Sequence, residues 1–272
     1  MANQYEVLGK APTPDDLKKL SPNEVHLTIK NLNAGYGKME ILHNFDLFVN
    51  KAQSLCLIGP NGAGKTTTIK ALTGLLNPDS GTIEICGHDM EESPLKAKSL
   101  MGYVPDVAVF YEKLTSIEFM KFIGDLYGID KKILYDNTVE LFNTMDLEPF
   151  ANAQIEELSH GTRQRLAIAA SLCHEPEVFV IDEPMVGLDP LHARVVKQEL
   201  QKRCQNGLTV MMSTHLLNVA EELADRIGII DGGKLIALGT LEELRMGKDA
   251  EALEEIFLKL FDKDESANLD HP

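Results

Sequence analysis

Two groups of residues in this chain of 272 have the types and spacing that chemistry on a phosphate requires. The first is Gly59-Pro60-Asn61-Gly62-Ala63-Gly64-Lys65-Thr66, which fits G-x-x-x-x-G-K-[ST] in full and is followed by Thr67. Glycines let consecutive backbone N–H groups turn inward around a phosphate chain, and the positive end of a following helix adds to the attraction. Lys65 is expected to neutralise β- and γ-phosphates, and the Thr66 hydroxyl to bind Mg²⁺. A chance match would arise in on the order of 1% of chains this long. No further glycine follows at the spacing of a dinucleotide fingerprint.

The second group is Val178-Phe179-Val180-Ile181-Asp182-Glu183, an apolar strand ending in two adjacent carboxylates. Such a strand end puts the first carboxylate beside a phosphate-bound metal and the second towards an attacking water. Asp182 is then a Mg²⁺ ligand, direct or through water, and Glu183 a candidate general base. Alone the pair is weak, because strand ends often carry acids as turn residues; with the loop at 59–66 it becomes specific. Other catalytic arrangements are set aside: there is no GxSxG elbow and no HExxH, and the eight histidines lack metal-ligand spacing.

The elements that must position these groups follow from periodicity. VHLTIKNL from Val25 alternates like a strand, FDLFV follows near residue 45, and SLCLI (54–58) is a short apolar run feeding into the glycine-rich loop. IKALTGLL after it has helical spacing, and TIEI (82–85) and MGYV (101–104) read as short strands. Residues 107–175 differ: IEFMKFIGDLYGI, ILYDNTVELFNTM and TRQRLAIAASLC repeat apolar residues at helical intervals, as an inserted helical subdomain would. Strand and helix then alternate through VFVID, a helix over 191–204, LTVMMS, a helix over 216–224 and RIGII. That alternation predicts a mostly parallel sheet covered on both faces. A last helix near 249–262 puts Leu253, Ile256, Phe257 and Leu260 on one face, a stripe that by default means core packing. Residues 1–23 read as a polar, proline-containing extension.

Between the two chemical motifs lies Leu158-Ser159-His160-Gly161-Thr162-Arg163-Gln164-Arg165, opening a helix. Here the chain resembles the ABC-type ATPases, whose signature reads LSGGQ-x-QR. Ser159 and Gly161 match the residues that cradle the γ-phosphate of an ATP held by the opposite subunit; His160 and Thr162 depart from Gly and Gln. Gly187-Leu188-Asp189-Pro190 resembles the loop passing between the two subunits, which makes Asp189 a site residue. In Ser213-Thr214-His215, His215 matches the switch that bonds the γ-phosphate, and Tyr36 in AGYGKMEIL matches the aromatic that stacks on adenine. The family places Gln or Glu where Gly102-Tyr103-Val104-Pro105-Asp106 has Asp106, a shorter charged group that can still face Mg²⁺. Because Thr162 is shorter than glutamine, it is expected to reach less far towards the nucleotide, so that Asp106→Gln with Thr162→Gln raises the partner-free rate.

The resemblance covers about residues 24–246 and implies an α/β P-loop NTPase of ABC type: a mostly parallel sheet core with a β-rich edge and an inserted α-helical subdomain over about 107–175. Residues 247–272 are expected to hold a further C-terminal helix and an acidic tail. It implies an ATP- and Mg²⁺-dependent ATPase, with a second ATP-binding subunit completing the site and a separate transmembrane permease as partner. The wording of the motifs is most similar to the export branch. The alternative from another class is an ABC-type ATPase in translation, DNA repair or cluster assembly; a regulatory nucleotide-binding module is the third reading. Translation members usually carry two such domains, and repair members carry coiled-coil arms or zinc modules.

The resemblance also implies a cytoplasmic protein lying peripherally on the cytoplasmic face of the cell membrane, and the composition is that of an ordinary globular chain. The chain is 44% hydrophobic and 25% charged, enough to bury a core. No apolar run approaches the roughly 18 residues of a membrane span, and the start MANQYEVLGK lacks the features of a secretory signal. The four cysteines form no CxxC pair and read as reduced thiols. Twenty-six basic against 42 acidic residues give −16, a field that repels nucleic acid phosphates and anionic lipid headgroups.

Overall fold

Side chains on alternate faces of one buried sheet fix the layers of this protein. The computed structural model describes residues 24–245; the extension 1–23 and the helix expected near 249–262 lie outside them. Strands β3 (Ser54–Ile58), β6 (Met101–Val104), β7 (Val178–Asp182), β8 (Thr209–Ser213), β9 (Arg226–Asp231) and β10 (Lys234–Gly239) form a six-stranded sheet in the order β10-β9-β3-β8-β7-β6. Every pairing in it is parallel except β10 against β9. β3, β7 and β8 are buried along their whole length, which explains why they read as continuous apolar runs rather than alternating ones.

The two faces carry separate cores. Cys56, Ile58, Phe179, Ile181, Val210 and Met212 point to one face. There they meet apolar residues of α3 (Ser116–Tyr127), α4 (Lys131–Thr144), α5 (His160–Leu172), α6 (Pro190–Gln205) and α7 (Leu217–Leu223). Leu55, Leu57, Val178, Val180 and Met211 point to the other. They pack on α1 (Lys65–Leu72), α2 (Pro94–Ser99) and an antiparallel sheet of β1 (Val25–Tyr36), β2 (Met39–Asn50), β4 (Ser80–Ile85) and β5 (His88–Asp89). Both faces are therefore covered, one by helices and the other largely by strands.

Four strands and α-helices, the short β5 and α2, β10, and α8 (Leu241–Leu244), were not in the sequence reading, nor were the 3-10 turns Glu148–Phe150 and Ile155–Glu157. The six residues of α2 are too few to show an apolar period; Pro94 at its first turn is the local start signal. β10 did carry a signal. Asp231 pairs with Lys234 across Gly232-Gly233, and both glycines have positive φ (47° and 74°), the turn that two-residue hairpins prefer.

That turn also joins the two sheets to the glycine-rich loop. Gly233 N–H donates to Ala63 O at 2.9 Å, and Gly233 O accepts from His43 N–H at 3.1 Å. A Cβ on Gly233 would stand 1.8 Å from Ile41 O, whereas nothing lies within 4 Å of one on Gly232. Gly233→Ala is therefore expected to lower unfolding free energy by about 2 kcal/mol or more in a denaturant titration. Gly232→Asn should leave the midpoint nearly unchanged, since Asn tolerates that conformation.

Candidate nucleotide site

The parallel register brings the chemical residues to one edge. Leu57 on β3 and Asp182 on β7 both stand opposite Ser213 on β8, so three strands end side by side. Ligands in open parallel sheets bind at such carboxyl ends. The chain leaves β3 at Ile58, turns through Gly62 and Gly64 with positive φ (82° and 113°) and enters α1 at Lys65. Gly64 occupies the N-cap, and no side chain caps that end, which leaves the first-turn N–H groups free for an anion.

A cleft of about 470 Å³ at this edge gathers Asn61, Gly62, Gly64, Lys65, Thr66, Thr67, Asp106, Asp182, Glu183 and His215. Gly59, Pro60 and Ala63 belong to the same loop without lining the cleft. Lys65 is buried and curls over the loop, donating to Gly59 O at 2.6 Å and Pro60 O at 3.0 Å. Burial lowers its pKa, against the pull of the Glu183 and Asp182 carboxylates.

Asp182 is almost fully buried. Thr66 Oγ1 donates to its Oδ2 at 3.1 Å and Ser213 Oγ donates to its Oδ1. Burial raises the Asp182 pKa, and these two hydroxyl donors oppose the rise. Glu183 stands at φ 52°, a left-handed conformation uncommon for a non-glycine residue and held here by its N–H bond to Ser213 O at 2.9 Å. Its carboxylate accepts from the Thr214 hydroxyl at 2.9 Å and from His215 N–H at 3.1 Å. The His215 ring Nδ1 lies 2.7 Å from Glu183 Oε1. The sequence reading missed Ser213 and Thr214, although both precede His215 in the segment it singled out.

The oxygens of Thr66 and Asp182 suit Mg²⁺, which takes few protein ligands and completes its shell with phosphate and water. Among the described residues no group of three or more His, Cys, Asp or Glu could hold a metal by itself. Asp106 is exposed on the cleft wall, near enough to raise the Asp182 pKa further.

Ser159, Gly161 and Asp189 do not line this cleft; they lie at the starts of α5 and α6, where Gly161 approaches Gly187 of the loop before Asp189. Ser159 Oγ caps α5, accepting from Thr162 N–H at 3.2 Å and lying 2.8 Å from Thr162 Oγ1. The His160 ring is pressed against Gly187: a Cβ there would sit 2.0 Å from His160 Cδ2. Asp189 caps α6, accepting from Leu191 N–H and His192 N–H at 3.0 and 3.1 Å, and its Oδ2 is 2.5 Å from His192 Nδ1. Thr162 corrects an expectation. It is buried, its hydroxyl turned to Ser159 and within 3.4 Å of an Arg165 nitrogen, so its length does not govern any reach towards solvent.

Residues 42–186 match the sequence profile of the ABC transporter family. The chain is 37% identical over 225 residues to the linearmycin resistance ATP-binding protein LnrL of Bacillus subtilis (strain 168), covering 82% of this chain and 72% of that one. It is 34% identical over 240 residues to the ABC-type transporter ATP-binding protein EcsA of the same organism, covering 88% and 97%. A solved ATP-binding subunit of an ABC transporter superposes with a TM-score of 0.82 at 31% identity, over 86% of this chain and 99% of that one. The dimeric cassette MJ0796 superposes at 0.72 with 26% identity, over 79% and 98%. The chain belongs to the ABC transporter family and is an ATP-binding subunit of it, within a family whose ATP-binding members are ATPases.

Two outcomes follow from the site. Lys65→Ala removes the buried cation of the loop and should weaken ATP binding by at least about tenfold in a calorimetric titration; unchanged affinity would count against the loop as the site. Thr162→Gln forces a longer side chain into the buried space beneath Ser159. It should cost about 1–3 kcal/mol in thermal unfolding without raising the ATPase rate.

Proposed function

We propose that this protein hydrolyses ATP with Mg²⁺ and couples dimer closure to movement of a separate membrane permease, in the export direction. The observation that carries the reading is the Glu183–His215 pair beside the Asp182–Thr66 pair, within one cleft and next to the free N-terminus of α1. Lys65 and the loop from Gly59 to Thr67 would bind the phosphates, and Tyr36 would stack on the base. Thr66 and Asp182 would hold Mg²⁺, with Asp106 facing it. The ion would neutralise charge on the β- and γ-phosphate oxygens.

Glu183 would accept a proton from water as its oxygen bonds to the γ-phosphorus and the bond from that phosphorus to the ADP oxygen breaks. The contacts of Thr214 and His215 fix the Glu183 carboxylate in orientation, and His215 is exposed enough to meet the γ-phosphate. Ser159 and Asp189 are already ordered as helix caps and Gly161 lies in the turn that Ser159 caps, so that a second copy would present them to the nucleotide of the first. The unit 24–246, including its helical stretch 107–175, would move as the ATP-dependent part of the assembly. Solved structures named for the dimeric MJ0796 cassette, one of them bound to ADP and Pi, support this reading.

A membrane partner is supported by exposed apolar residues directly after Asp106. Val107, Val109 and Tyr111 are 74, 88 and 62% exposed, apolar surface that a protein partner would cover. Among the described residues no helix is long and apolar enough to cross a membrane, so such a partner would supply the spans. The export direction rests on motif wording and on relatives named for linearmycin resistance, Nod factor export and probable multidrug transport. Peripheral association with the cytoplasmic face follows from that assembly.

Glu183→Gln keeps the shape of the side chain but removes the base. It should lower turnover by about 10²–10⁴-fold while ATP still binds and a dimer accumulates in size-exclusion chromatography with ATP. Hydrolysis at the parent rate would overturn the assignment.

A further inference from the structure

The ring of Tyr36 has a neighbour to which the proposed mechanism gives no role. Tyr36 ends β1 and pairs with Met39 across a tight turn through Gly37 and Lys38. It keeps 48% of its surface exposed. Lys70 Nζ stands 5.7 Å from the ring centroid, within the roughly 6 Å over which an ammonium is attracted to an aromatic face. Lys70 lies in the last turn of α1, the helix that begins at Lys65. Its backbone is fixed: Lys70 O accepts from Leu75 N–H at 2.8 Å and from Leu76 N–H at 3.0 Å. The side chain therefore reaches the ring from an anchored root.

A base cannot enter between the two groups. Contacts on both its faces at about 3.5 Å each would need about 7 Å, more than the 5.7 Å present. The ring face away from Lys70 is the one left for stacking. The five-residue step from Lys65 to Lys70 also spans about 7.5 Å of helix rise, so one rigid element separates the phosphate contacts from the ring support.

We propose that Lys70 is a positioning residue for the nucleobase: it holds one face of Tyr36 and so sets the plane of the opposite face, on which the base stacks. This rests on the reading of Tyr36 as the base contact. The contribution is confined to the base end of the nucleotide, because the ammonium acts through the ring and not through the phosphates.

The test titrates ADP and, separately, pyrophosphate into the full chain by calorimetry. The proteins are the parent, Lys70→Met, Lys70→Arg, Tyr36→Ala and the double variant Tyr36→Ala with Lys70→Met. Lys70→Met should weaken ADP by about two- to fivefold, the range of an exposed cation–π contact, and leave pyrophosphate unchanged. Lys70→Arg should retain ADP affinity, and Lys70→Met should add nothing once Tyr36 is alanine. In the NMR spectrum the ring-current shift of the Lys70 ε-methylene protons should vanish in Tyr36→Ala. Equal losses for ADP and pyrophosphate in Lys70→Met would overturn the proposal, as would tighter ADP binding, which would make Lys70 a competitor of the base. If Tyr36→Ala weakens ADP while Lys70→Met does not, only the role of Lys70 falls. If Tyr36→Ala leaves ADP unchanged, the base-contact reading falls and the role of Lys70 with it.

Discussion

The carboxylate of Asp182, buried between Thr66 and Ser213, is the contact on which the arrangement of the site depends. A buried carboxylate is costly unless it is hydrogen-bonded or paired. Here the bonds come from the start of α1 and the end of β8, two elements far apart in sequence. Those bonds require the ends of β7 and β8 to align, and β3 to lie beside β8 so that the loop places Thr66 above Asp182. The sheet order β3-β8-β7 meets that requirement. Phe179 and Ile181 on one face and Val178 and Val180 on the other hold the strand that carries Asp182 in place.

Adjacent carboxylates acquire different environments because the chain turns sharply between them. Asp182 is the last residue of β7 and faces inward, whereas Glu183 adopts a left-handed conformation that costs on the order of 1–3 kcal/mol. The bonds from Ser213, Thr214 and His215 offset that strain. The end of β8 and the two residues after it thus support both acids: Ser213 bonds the Asp182 carboxylate and the Glu183 N–H, and Thr214 and His215 bond the Glu183 carboxylate. Helix caps order the starts of α5 and α6 in a similar way: Ser159 and Asp189 satisfy their first turns. The His160 ring fits against Gly187, so the departure from the family signature at 160 is accommodated where that segment meets the loop before Asp189.

Much of this was legible in the sequence for local reasons. The loop from Gly59 to Thr66 announces itself because phosphate binding needs particular residue types at fixed intervals. The limits of β3, β6 and β7 follow from apolar runs bounded by turn residues. Asp182 and Glu183 stood out as acids ending such a run. The pairing of Thr66 with Asp182 lay beyond it, since 116 positions separate them and only the order of strands joins them. The inward turn of Thr162 was likewise decided by packing: the Ser159 hydroxyl and the Arg165 guanidinium occupy its surroundings. Similarly, nothing local in AGYGKMEIL connects Tyr36 to Lys70, whose approach depends on how α1 packs under the antiparallel sheet. Sequence determined which chemical groups are present and which short segments carry them, because propensity, periodicity and motif spacing act over a few residues. Tertiary structure alone decided which groups meet, how deeply each is buried and which charge is raised or lowered, because those depend on contacts between segments distant along the chain.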